Sequence, residues 1–222
     1  MIDQQTSYHH GNVKNELIDA ALRLMENEEI EQISLRRLAR EIGVTPPAVY
    51  NHFADKQTLM VAIKARAFTE LNVYFDEVCP ATPDPELELR NMLLAYFSFS
   101  RQNPTRFNVL FSSDVSRDHI TDDFLRMSCK TINRFRKIII AICQKHQIQC
   151  SEEQLVNRAT LAWAQIHGLI VLRDSGSILA TIGCEGWPRS CSLQTDEDIN
   201  NLLDFMIDGI LALIKQGSGP RP

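Results

Sequence analysis

No stretch of this 222-residue chain is both long and apolar enough to span a bilayer. The longest apolar run, LAWAQIHGLIVL at 161–172, is short and is interrupted by Gln165 and His167. The opening MIDQQTSYHHGNVKNEL has no basic stretch leading into an apolar core, so no secretory signal is expected. A cytoplasmic protein with no membrane partner follows from these two absences. The chain also lacks any C-x-x-C pair. Its six cysteines, Cys79, Cys129, Cys143, Cys150, Cys184 and Cys191, are expected to stay reduced. In CQKHQIQC, Cys143, His146 and Cys150 could supply three metal ligands, but no fourth is spaced nearby. They read instead as small core hydrophobes and a solvated helix end, with no metal and no cofactor expected. Motifs of catalysis are missing too: there is no H-E-x-x-H, no G-x-S-x-G and no glycine-rich phosphate loop. Asp122 and Asp123 are adjacent, point to different sides of a helix and make a poor acid–base pair. An enzyme is therefore not expected.

What is present is an ordinary globular composition, 44% hydrophobic and 23% charged, in a chain long enough to bury a full core. A net charge of −5 argues against general coating of nucleic acid, yet the charge is unevenly spread. Between residues 34 and 66 lie six basic side chains (Arg36, Arg37, Arg40, Lys56, Lys64, Arg66) against two acidic ones (Glu41, Asp55). Such an excess is either a binding patch or a solvated helix face.

Helical periodicity dominates, and no convincing alternating strand and no internal repeat is visible. NVKNELIDAALRLMENEE places Leu17, Ala21, Leu24 and Met25 on one face. Ser34 is a predicted N-cap before LRRLAREIG, whose stripe is Leu35, Leu38, Ala39 and Ile42, and Gly43 suits the left-handed residue that ends a helix. In TPPAVYNHFADK (45–56), Thr45 is a second predicted N-cap. Pro46 and Pro47 fall where the backbone N–H has no intrahelical partner to lose, so they start a helix instead of breaking one. That helix runs to about Phe53, and Asp55 caps a longer one through about Val78. Two helices crossing at the EIGVT turn make a helix-turn-helix, which sets its second helix in the DNA major groove. Thr45, at a helix N-terminus, is placed to donate to phosphate or base. Tyr50 and His52 can donate to phosphate, and Lys56 adds charge.

The segment SLRRLAREIGVTPPAVYNHFADKQTLMVAI resembles the DNA-binding segment of the TetR family of bacterial transcriptional regulators. Tyr50, His52, Phe53, Lys56 and Leu59 match the family's run in order, and with the lead-in the resemblance covers roughly residues 8 to 68. It implies backbone contacts from Ser34, Thr45, Tyr50, His52 and Lys56, and base-edge contacts from Pro46, Pro47, Ala48 and Asn51; Phe53 and Leu59 match core positions. Arg36 is either a phosphate contact or merely solvated, and Tyr50 either contacts phosphate or packs. The two prolines depart from the small or polar residues usual in the family. Asn51 is then the one amide reader, and Pro46, Pro47 or Ala48 would meet thymine methyls.

The remainder reads as helix upon helix: PDPELELRNMLLAYFSFSRQ, NPTRFNVLF behind Pro104, the long DHITDDFLRMSCKTINRFRKIIIAICQKH, a helix capped at Ser151, and a last one capped at Thr195. The 176–194 stretch is a loop long enough to be a lid or mobile segment, and the GSGPRP end is an expected disordered tail. WAQIHGLIVL gives a second resemblance, to a TetR subset whose C-terminal domain is marked by Trp and His-Gly; Trp163, His167 and Gly168 match. The expected architecture is all-α. Residues 1–55 would form a three-helix helix-turn-helix DNA-binding domain, 56–80 a connecting helix, 81–216 a larger C-terminal helical ligand-binding and dimerisation domain, and 217–222 the tail. The expected partners are a palindromic double-stranded DNA operator, an unidentified small-molecule effector and a second copy of the chain. Tyr96, Phe97, Phe107, Phe111, Trp163 and His167 are candidates for an effector pocket, although core packing explains most of them equally well. Gly168, Leu202, Met206 and Ile210 are candidates for a homodimer interface. Two readings stay open: a repressor released from its operator by the effector, or a TetR-fold redox sensor or partner-binding protein that uses its cysteines, Cys184 and Cys191 among them.

Overall fold

A computed structural model describes residues 13–112, 115–177 and 196–216. The lead-in before Val13, the Cys184 and Cys191 stretch with the expected Thr195 cap, and the 217–222 tail lie outside the described residues. The described residues contain no strand and nine α-helices. They are α1 (Val13–Leu24), α2 (Leu35–Glu41), α3 (Pro46–Tyr50), α4 (Lys56–Val78), α5 (Pro85–Gln102), α6 (Pro104–Phe111), α7 (Asp122–Lys145), α8 (Glu152–Asp174) and α9 (Asp196–Lys215). Two short 3-10 turns stand at Ile30–Gln32 and Arg117–His119. Among the described residues no helix is long and apolar enough to cross a membrane.

Contacts group the chain into two units, and these do not follow linear boundaries. The first comprises Met1–Glu70 and Asn103–Ser128, the second Leu71–Gln102 and Cys129–Pro222. By contacts the 103–128 segment groups with the N-terminal helices, and α4 runs from the first unit into the second.

In the first unit, α1, α2 and α3 close on Leu17, Ala20, Ala21, Leu38, Ala39 and Val49, all fully buried. Phe53 and Leu59 complete this core, as the family resemblance implied. Buried Lys64 donates its ammonium to the Ser112 carbonyl, and Arg106 pairs with Glu70, tying 103–128 to α4 within the unit. At the start of α7, Phe68 of α4 meets Phe124 edge-on at 5.8 Å.

In the second unit, α8 begins at a capping box. The Ser151 hydroxyl accepts from the Gln154 amide, and the Gln154 side chain accepts from the Ser151 amide. Its buried face is Leu155, Arg158, Ala162, Ile166 and Ile170. On α9 the buried face is Leu203, Ile207, Ile210, Leu211 and Ile214. Three helix ends meet at Glu86 in the first turn of α5. Lys215 of α9, His146 just past α7 and Lys145 all reach its carboxylate, and together they hold it at about 2.

Candidate nucleic-acid interface

The helix-turn-helix forms as its local sequence dictates. The Ser34 hydroxyl accepts from the Arg37 amide at 3.2 Å, which caps α2. Gly43 sits at φ +72°, a left-handed conformation that glycine adopts without the strain a Cβ brings. Its neighbour Val44 donates back to the Ala39 carbonyl at 2.9 Å and closes the helix end. Pro46 and Pro47 open α3, which is shorter than the expected run to Phe53 and ends at Tyr50. Thr45 takes the extended cap conformation (φ −73°, ψ 147°) but makes no side-chain cap bond. The reason is local: the two prolines remove the amides that a cap would receive, and the next amide, Ala48, is bonded to the Thr45 carbonyl at 3.0 Å. The start of α3 therefore offers no free backbone N–H, and what Thr45 presents is its hydroxyl.

Beneath this helix Val49 and Phe53 are buried, and above it Thr45, Pro46, Pro47, Tyr50, Asn51 and His52 are exposed, with Ala48 half-buried. Tyr50 is 47% exposed, so its hydroxyl reaches solvent and is not packed under the helix. At the head of α4, Asp55 accepts from the Thr58 amide at 2.8 Å, and the Thr58 hydroxyl accepts from the Asp55 amide at 3.3 Å. The Thr58 amide, with His119 at 3.3 Å, holds the Asp55 carboxyl below its usual range. Lys56 follows directly on this capped end.

The basic cluster divides once partners are known. Arg37 is bidentate to Glu28, with one of its two contacts at 2.7 Å. Arg66 pairs with Asp19 at 3.0 Å and Asn15 at 2.8 Å, and Lys64 is buried. Among the described residues, Arg36, Arg40 and Lys56 have no ion-pair partner. Arg36 and Arg40 are both exposed and lie four residues apart, so they share one face of α2. Arg40 was absent from the expected contact set. The signal was its i, i+4 relation to Arg36, which the raw count of basic residues conceals.

The other expected sites fare differently. Of the six candidate pocket residues, Phe107 and Phe111 lie in the first unit, their rings tilted at 58° with centroids 5.2 Å apart, while Tyr96, Phe97, Trp163 and His167 lie in the second. In the latter unit the Trp163 indole donates to the Tyr96 hydroxyl at 3.1 Å, and that hydroxyl lies 3.1 Å from His167 Nδ1. Burial raises the Tyr96 pKa well above the ordinary tyrosine value and lowers that of His167. Ile210, expected at an intersubunit face, is fully buried inside its own protomer, because it falls on the same helical stripe as Leu203, Ile207 and Ile214. Leu202 and Met206 are half-buried, and Phe205, on the opposite side of α9, is 79% exposed. A Cβ placed on Gly168 would meet nothing within 4 Å in the protomer. His146 is engaged by Glu86 at 2.7 Å, and no group of three metal-ligating side chains exists among the described residues.

Residues 17–63 match the family model for bacterial regulatory proteins, tetR family, and residues 89–182 match the tetracyclin repressor-like C-terminal domain. The chain is 27% identical over 96 residues to the uncharacterized HTH-type transcriptional regulator YobS of Bacillus subtilis, a match covering 42% of this chain and about half (49%) of that protein. It is 28% identical over 140 residues to the nucleoid occlusion factor SlmA of Vibrio cholerae, covering 57% of this chain and 69% of that one. A solved protein of unknown function from Rhodococcus sp. RHA1 shares the fold, with a TM-score of 0.70 at 22% identity over 92% of this chain and 98% of its own.

Proposed function

Because the chain belongs to the TetR family of bacterial transcriptional regulators, we propose that it is a homodimeric repressor that binds a palindromic operator and is released from it by a small-molecule effector. Regulators of this family bind DNA and do not catalyse reactions, so the chain is a DNA-binding transcriptional regulator and not an enzyme. The observation that carries the finer reading is the face above Val49 and Phe53. There Thr45, Tyr50, Asn51 and His52 stand exposed, and the helix-turn-helix and the head of α4 carry Arg36, Arg40 and Lys56, which have no ion-pair partner among the described residues. Phosphate contacts from Ser34, Arg36, Thr45, Tyr50, His52 and Lys56 would set register and affinity. The Ser34 oxygen accepts its cap bond, and its proton stays available to a phosphate. Asn51 would read a base through its amide, while Pro46, Pro47 and Ala48 would press on thymine methyls.

Two reading helices must lie about 34 Å apart to enter successive major grooves, which requires two copies of the chain. Phe205 on α9 and the exposed Leu161, Val171 and Leu172 on α8 are the apolar surface that a second copy would cover, with Gly168 allowing close approach. The effector would act through α4, which is common to both units. A compound with equal affinity for free and operator-bound protein is not that effector. The decisive experiment is selection of binding sites from random DNA. Asn51→Ala should cost roughly 1–3 kcal/mol at one base pair and relax the preference there alone. An unchanged consensus would remove Asn51 from base reading.

A further inference from the structure

The α7–α8 connection carries a pair of cysteines that the DNA-binding reading does not use. Gln147, at φ +55°, reverses the chain after α7, and the Ile148 amide closes on the Cys143 carbonyl at 2.8 Å. This turn folds Cys150 back onto the last turn of α7, and the two sulfurs stand 3.4 Å apart. Cys143 is buried and Cys150 is half-buried, so of the two residues Cys150 is the one nearer to solvent.

Arg158 makes the pair more than a chance contact. Arg158 lies on the buried face of α8 and is only 8% exposed. It donates to the Cys150 sulfur at 2.6 Å and to the Gln216 carbonyl at 2.6 Å. Among the described residues no carboxylate lies within ion-pair distance of it. A buried cation without a carboxylate is costly, and a sulfur able to carry negative charge is the group placed to offset it.

We propose that Cys143 and Cys150 form a dithiol site for a hydroperoxide, with Cys150 as the attacking sulfur, Cys143 as the resolving one and Arg158 as a positioning residue. In the first step the Cys150 thiolate attacks one peroxide oxygen, the O–O bond breaks, and a sulfenic acid and hydroxide are formed. In the second, the Cys143 sulfur attacks the sulfenic sulfur, the S–O bond breaks, and a second hydroxide leaves. The thiol protons end on these hydroxides, so two thiols and one hydrogen peroxide give one disulfide and two waters. Burial and the neighbouring Cys150 push the Cys143 thiol up to about 11, which suits a sulfur that waits protonated until the sulfenic acid appears. A disulfide needs its sulfurs about 2.05 Å apart. Closing the present gap requires Cys150 to shift against a guanidinium that also holds the end of α9.

The test uses the full chain and hydrogen peroxide at one equivalent, followed by trapping of free thiols with an alkylating agent and mass spectrometry of the digest. The expected product links Cys143 to Cys150 and accumulates before Cys129, the exposed cysteine with no such arginine contact, is consumed. A Cys184→Ser, Cys191→Ser background should give the same product. Arg158→Met should slow its formation about tenfold, with Arg158→Lys slowing it less. In Cys150→Ser, which leaves Arg158 and the fold in place, Cys143 should stay reduced. On oxidation, amide exchange in the last turn of α9 should quicken. Full alkylation of Cys143 and Cys150 after oxidation, prior loss of Cys129, or an unchanged rate in Arg158→Met would overturn the assignment. Unchanged exchange in α9 would overturn the link to that helix. No DNA enters the assay, so its failure leaves the DNA-binding reading untouched.

Discussion

The polar surface of α2 and α3 and the polar cluster of α5 and α8 are built on opposite terms. On the first, Thr45, Tyr50, Asn51 and His52 stand in water, and a fully apolar layer of Val49, Phe53 and Leu38 lies beneath them. In the second, Tyr96 is buried, and its hydroxyl is spent on Trp163 and His167. A face that meets an outside partner keeps its hydrogen-bonding capacity in solvent, where it costs nothing until contact. A buried group must be satisfied from within, or it costs the desolvation of an orphaned donor. The first arrangement separates function from stability, and the second merges them.

That separation is sharpest at Phe53. Phe53→Ala should destabilise the first unit by about 3–5 kcal/mol, because it removes a buried aromatic from under the face. Urea unfolding checks this. A loss below about 1 kcal/mol would mean that the layer under the face does not support it.

The next largest effect concerns Gly168, where the protomer leaves room for a side chain. Gly168→Leu should leave helical content near wild type while costing the proposed dimer about 1–3 kcal/mol by overpacking, with operator affinity falling accordingly. Light scattering that finds a firm dimer with intact operator binding would place this glycine away from any partner.

A smaller effect belongs to Glu86. Its carboxyl, held at about 2 by Lys215, His146 and Lys145, titrates below the unfolded value near 4.3, so its contribution is present above that pH and lost as pH falls towards 2. Wild type should exceed Glu86→Gln by about 1 kcal/mol at pH 7, and the two should converge between roughly pH 4 and pH 2. A gap that stays constant with pH would assign the effect to packing.

The smallest pair tests the comparison directly, because one change is made in both regions. Tyr96→Phe should cost about 1 kcal/mol of stability, since Trp163 and His167 lose a shared partner. Tyr50→Phe should leave the melting temperature unchanged and weaken binding to all DNA sequences alike. If Tyr50→Phe lowers stability as much as Tyr96→Phe, the two regions do not differ in kind.

Much of the α2–α3 surface was legible in the sequence. The Ser34 cap, the left-handed Gly43 and the helix-opening prolines all rest on rules that act over a few residues, while the buried Phe53 came from the family resemblance. The limits of the same rules show at Thr45, a cap by position whose hydroxyl finds no amide because both prolines lack one. For the last helix, spacing offered Leu202, Met206 and Ile210 as one apolar face but not its direction. It cannot tell an apolar face turned to its own core from one turned to a second chain, and Ile210 belongs to the former.

Local chemistry in the chain thus determined the all-α class, the helix ends, the turn between α2 and α3, and which side chains rise above Val49. These depend on φ preferences, caps and a 3.6-residue period, all of which operate within one or two turns. Tertiary structure alone decided which cations stay unpaired. Arg37 is paired by Glu28, Arg66 by Asp19, and Lys64 is taken up at Ser112, all at separations that no local rule reaches. It alone likewise placed a guanidinium from α8 on a sulfur at the α7–α8 turn. Charge pairing and burial are set by distance in space, and only the packed chain supplies that distance.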